Sequence, residues 1–196
     1  MRALAALQKG VRYRLKLFTA VAHSLESYGR MIENIKKGLS PFLCVGLSAI
    51  HKANFIYAAR QDLNTPLLLL TQDDLAAARL AADINAMAGT EDFALVFPSR
   101  DYSYRQMESV SGEYEQQRLG VLSRILQGEA PVVIASAQAA SSRTVQPEAL
   151  RQATFKVSTD PAVNEAGDMQ ALVARLAMAG YARRPQVDGV SQFAVR

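Results

Sequence analysis

Tryptophan is absent from this 196-residue chain, cysteine occurs once and histidine twice. One cysteine excludes an internal disulfide, and His23 and His51 with Cys44 cannot supply a four-ligand zinc set, so no metal site is expected. Cys44 lies inside the apolar run Phe42–Val45 and reads as a buried, reduced thiol of a cytoplasmic protein. Long hydrophobic runs are missing too. A stretch such as Leu67–Leu70 falls far short of the span of about 20 residues that a membrane helix needs. The basic start Met1–Gly10 is not followed by a signal-peptide core. No membrane partner is therefore expected. No repeat or low-complexity segment occurs, and no Ser-His-Asp arrangement can be argued from spacing. With 7 Tyr and 7 Phe scattered along the chain, the core must be mostly Leu, Ala, Val and Ile.

What is present is an ordinary globular balance of 49% apolar and 20% charged residues. The net charge of +4 is unevenly placed. Arg2, Lys9, Arg12, Arg14, Lys16, Arg30, Lys36 and Lys37 face only Glu26 and Glu33 in residues 1–40. A second basic group, Arg175, Arg183, Arg184 and Arg196, lies at the far end. Such asymmetry suits nucleic acid or an acidic protein surface.

Apolar spacing at Leu17, Val21, Leu25, Tyr28, Ile32 and Ile35 predicts an amphipathic helix over Tyr13–Lys37, broken near Gly29 and ended by Gly38 and Pro41. Beyond it, short unbroken apolar runs alternate with helical patterns. Strands are predicted at Phe42–Val45, Pro66–Leu70, Phe93–Phe97 and Pro131–Ala135, with Thr154–Val157 as a candidate fifth. Helices are predicted at Ala49–Arg60, from Thr71-Gln-Asp-Asp74 (a capping-box pattern) to Met87, and at Glu113–Leu126. Unbroken strands separated by helices indicate an α/β fold, a parallel sheet flanked by helices on both faces. From Ser158 the texture changes to a helix at Asp168–Gly180 and strands at Tyr181–Val187 and Gln192–Val195, a smaller α+β piece. The expected organisation is an N-terminal helical segment over 1–40, an α/β domain over 41–136 and a small domain over 137–190. Residues 191–196 would begin a strand returning to the first domain, in a chain cut from a longer polypeptide.

The first predicted strand runs into Gly46-Leu-Ser-Ala-Ile-His51-Lys52-Ala53 and a helix follows. Strand, loop and helix form the setting of the phosphate loop G-x-x-x-x-G-K-[ST]. There the glycines let backbone N–H groups wrap the phosphates, the lysine neutralises charge, and the last hydroxyl holds Mg²⁺. Gly46 and Lys52 have the required spacing, whereas His51 replaces the second glycine and Ala53 offers no oxygen. The loop is degenerate. A weak anion site at the helix N-terminus is compatible with it; catalysis is not, and no nucleotide cofactor is expected. Asp73-Asp74, which could be offered as a metal-binding acid pair, fits helix capping better.

The segments Val45-Gly-Leu-Ser-Ala-Ile-His-Lys-Ala53, Pro66–Thr71, Phe97-Pro98, Glu115-Gln-Gln-Arg118-Leu119, Val132-Val-Ile-Ala-Ser136, Gly180-Tyr181, Val187 and Gln192-Phe-Ala-Val-Arg196 carry a resemblance by their order and spacing. From Phe42 to Arg196 the chain resembles the UvrB-like N-terminal region of the bacterial transcription-repair coupling factors. The resemblance implies a degenerate P-loop NTPase-like, UvrB-like fold with an inserted small domain. It also implies a non-catalytic adaptor role: binding the nucleotide excision repair protein UvrA and bringing it to stalled RNA polymerase. In the full-length parent, RNA polymerase and DNA would be further partners, and ATP-dependent DNA translocation would reside in a separate region. The UvrA-facing surface should correspond roughly to Ser136–Val190, where Arg175, Tyr181, Arg183 and Arg184 are the candidate partner-binding residues. The loop distinguishes the chain from UvrB, which hydrolyses ATP. So does the short Pro98–Gly112 segment, which leaves no room for UvrB's DNA-clamping hairpin although it holds Tyr102 and Tyr104.

Two other readings stay open at this point. One is an ATP-binding or ATP-hydrolysing UvrB-like fragment in which Lys52 is active. The other is a nucleic-acid-binding module that uses the basic N-terminal helix.

Overall fold

The computed structural model describes residues 18–99, 113–160, 162 and 164–195. Tyr102 and Tyr104, the basic residues before Phe18, and Arg196 lie outside the described residues. The fold is α/β, with a small parallel sheet flanked by helices. Its chain divides into two compact units, Met1–Arg100 with Gln127–Ser142 and Asp101–Leu126 with Arg143–Arg196.

In the first unit the helical N-terminal segment is two pieces, α1 over residues 18–23 and α2 over Glu26–Lys36. The break falls at Leu25, which is extended, and not at Gly29 as the sequence suggested. Ser24 Oγ donates back to Val21 O at 2.7 Å, a local bond that competes with continuing the helix. Bending here lets Ala22, Tyr28 and Ile32 pack into one cluster with Ala58 and Ala59 of α3 (Ala49–Leu63). β1 (Leu67–Thr71), β2 (Ala94–Phe97) and β3 (Val132–Ser136) form the sheet, in the order β1-β3-β2 with every pairing parallel, and α4 (Asp74–Ala88) connects β1 to β2. β3 is buried at all five residues and forms the centre of the sheet. Ala53 and Tyr57 of α3 and Ala77, Ala81 and Ile84 of α4 pack with Val132 and Ile134. Alanines at these contacts let the two helices approach closely.

β1 departs from the prediction of a sheet covered on both faces. Leu67 and Leu69 pack against the core, while Leu68 and Leu70 remain 66% and 63% exposed. Phe42–Val45 departs further: it is not a strand and not buried. Leu43 and Val45 are 86% and 78% exposed, and Cys44 is exposed with its Sγ 3.7 Å from Met31 Sδ of α2. A strand requires a neighbour for its backbone groups, and among the described residues this segment has none. Its apolar composition is that of a strand; its pairing is missing.

Helix starts follow local chemistry. Asp73, not Thr71, caps α4 by accepting from Ala76 N at 2.7 Å, and Thr71 Oγ1 donates to Asp73 O at 2.9 Å. The capping reading of Asp73 therefore holds. At the other end Gly89 adopts φ 71° as the C-cap, a left-handed conformation that glycine takes without penalty. A short helix the sequence reading missed, α6 below, is capped by Ser136 Oγ accepting from Ala139 N at 3.1 Å.

The second unit holds α5 (Glu113–Gln127, up to residue 126), α7 (Pro147–Ala153), α8 (Met169–Met178) and a two-stranded parallel ribbon; α6 (Ala137–Ser141) belongs to the first unit. α7 was also unforeseen, although Pro147 at its start is a helix-initiating signal. The ribbon pairs β4 (Ala182–Arg183) with β5 (Gln192–Phe193). The longer strands expected over Tyr181–Val187 and Gln192–Val195 thus shrink to two residues each, and β5 pairs within this unit. Gln116 Nε2 of α5 donates to Ser191 Oγ at 2.6 Å and anchors the turn into β5. Thr154–Val157 is not a strand either. Lys156 instead exchanges bonds with Glu165, which donates its N–H to Lys156 O and accepts from Lys156 N through Oε2, both at 2.9 Å.

Two buried tyrosines in the first unit make stability depend on alkaline pH. Burial first, then the hydrogen bond to Asp62 and its negative charge, holds the Tyr28 phenol well above its ordinary value. The hydroxyl donates to Asp62 Oδ2 at 2.6 Å, and His23 Nε2 lies 2.9 Å from the same oxygen. Burial likewise raises the Tyr57 phenol. Below the ordinary tyrosine value, near pH 10, folded and unfolded chains are both protonated and the contribution is fully present. Above it the unfolded chain loses the protons and the fold keeps them, so stability falls by about 1.4 kcal/mol per pH unit for each tyrosine. Urea midpoints measured from pH 8 to 11 should show this decline, and Tyr28→Phe should remove part of the slope. A flat profile would mean that the phenols ionise as readily in the fold as outside it.

Candidate functional site

The loop Gly46–Ala53 enters α3 from the exposed segment just described. Gly46 has φ 80°, and a Cβ there would meet nothing within 4 Å, so the backbone conformation and not space calls for glycine. Ser48 occupies the N-cap position in an extended conformation, but its hydroxyl does not cap. It pairs with His51 Nδ1 at 3.0 Å, and the first helical bond is Lys52 N to Ser48 O at 2.9 Å. His51 and Lys52 are exposed. Ala53 is turned inward and fully buried in the core with Tyr57. The structure therefore gathers Gly46, His51 and Lys52 at one helix start and removes position 53 into the packing. The imidazole that replaces the second glycine is held by the loop's own serine.

A groove of about 480 Å³ runs between α2 and the segment before this loop, lined by Leu25, Met31, Phe42, Cys44 and Val45 among others. Sequence reasoning missed it, because assigning Phe42–Val45 to a buried strand hides the groove wall. Among the described residues no group of three or more His, Cys, Asp or Glu could hold a metal ion, and no helix is long and apolar enough to cross a membrane.

The four candidate partner-binding residues of the second unit separate into two kinds. Arg175, on α8, is occupied internally. Its guanidinium lies over the Phe155 ring, 4.2 Å from the centroid, and Nη1 donates to Glu165 O. It pins the 154–168 loop to the helix, while Asp168 starts that helix by accepting from Ala171 N at 2.8 Å. The loop is further closed by Asn164, whose Oδ1 accepts from Ala166 N at 3.3 Å and whose Nδ2 donates to Gly167 O at 3.1 Å. Spacing could not reveal Arg175's engagement, since Phe155 and Glu165 lie on the loop before α8 and reach it only through that loop's fold.

Arg183 is the last residue of β4, Tyr181 directly precedes the strand and Arg184 directly follows it, and all three are exposed. Tyr181 N donates to Leu176 O at 3.0 Å, so the residue closes α8, and Arg184 N donates to Phe193 O at 2.9 Å. Neither Arg183 nor Arg184 has a carboxylate partner among the described residues. Met178, Val187 and Val190 of the same unit are exposed apolar residues.

Fold and site together define an α/β protein with a small parallel sheet, an incomplete loop of the phosphate-binding type of pattern, and a second unit in which Arg183 and Arg184 are exposed. A scan against models of known protein families finds no match. The chain is similar to the transcription-repair-coupling factor of Bacillus subtilis (strain 168), with 24% identity over 171 residues, which is 87% of this chain and 14% of that protein. The resemblance read from the residues is thus shown by direct comparison, and the chain spans about a seventh of the length of that relative.

Proposed function

We propose that this chain is a non-catalytic adaptor module for transcription-coupled repair that binds UvrA through its second unit. The observation that carries this reading is the similarity to a transcription-repair-coupling factor along 87% of the chain. Two features support it. In the first unit the loop has His51 in place of the second glycine, and Ala53 is buried where a metal-binding hydroxyl would be needed. The second unit exposes Arg183 and Arg184, and such groups bind carboxylates bidentately once desolvated in an interface. Arg175 and Tyr181 support that surface: Arg175 by fixing the loop behind it, Tyr181 at its margin. The setting is the bacterial cytoplasm, and RNA polymerase and DNA are partners of the full-length parent.

The test is capture of purified UvrA by the chain. Arg183→Glu with Arg184→Glu is expected to lower UvrA affinity by tenfold or more without changing thermal stability. Undiminished capture by the double variant would remove these residues from the interface. The non-catalytic part has its own test. A ligand at 100 times its Kd stabilises by about 2.7 kcal/mol, so ATP-Mg at millimolar concentration is expected to leave the melting temperature unchanged. A rise of several degrees would establish nucleotide binding at the loop.

A further inference from the structure

We draw no further inference here: the strongest candidate, the exposed apolar segment Phe42–Val45 and its groove against α2 in the first unit, carries nothing because nothing in the structure shows what covers it.

Discussion

Replacing Ile134 by alanine is expected to destabilise the first unit by about 4 kcal/mol, the largest loss foreseen for a single side chain. Ile134 lies on the central strand, fully buried, between Leu69 of β1 and Val96 of β2 in register. Truncation removes the transfer energy of three carbons and leaves a cavity that a three-stranded sheet cannot close without shifting both neighbours. The measurement is the urea midpoint at unchanged slope, which separates lost stability from a changed unfolded state. Leu68→Ala is the matched control: one residue along β1 from Leu69, its side chain faces solvent and its loss should cost about 0.5 kcal/mol or less. Equal effects for the two variants would show that β3 is not the buried centre of the sheet.

Asn85→Ala should cost about 3 kcal/mol for a different reason, since it removes polar satisfaction and not packing. Asn85 Nδ2 donates to Glu91 O at 2.9 Å and Ala94 O at 3.0 Å, and Oδ1 accepts from Ala94 N at 2.7 Å. One side chain thereby joins the end of α4 to the start of β2. Ala94 is buried, so deleting the amide leaves its backbone donor and acceptor without water or partner. Asn85→Asp distinguishes this account from simple loss of contact. The carboxylate keeps the acceptor for Ala94 N but sets negative charge against two carbonyls, and should cost at least as much as alanine. A loss below 1 kcal/mol for both variants would show that the helix–strand junction holds without this side chain.

These two residues also mark how much was legible beforehand. Ile134 belongs to a run, Pro131–Ala135, whose unbroken apolar character announces a strand buried on both faces, and the observed strand Val132–Ser136 is one. Asn85 reads as an ordinary polar residue within a helix. Its role depends on Ala94 being brought within reach by the turn after Gly89, and no periodicity encodes that. The same limit explains Phe42–Val45. Its apolar signal equals that of the true strands, yet a strand is a relation between two segments, and apolar composition reports on one. For the candidate site, the departures at His51 and Ala53 were readable as chemistry from residue type alone. That Ala53 points into the core required the helix to be placed.

The arginines show the division most directly. Sequence placed Arg175, Arg183 and Arg184 in one basic group, since charge and proximity along the chain are all it displays. Folding stacks Arg175 on Phe155 and leaves Arg183 and Arg184 exposed at the end of a two-residue strand. What the sequence determined by itself was the parallel α/β class, the capping acid Asp73, and the lost residues of the loop. Each of these depends on side chains within a turn or two of one another. Only the tertiary structure decided which apolar runs are paired, which polar groups are consumed internally and which charges remain for a partner. Those outcomes depend on neighbours supplied from elsewhere in the chain, whose approach is set by packing and not by local preference.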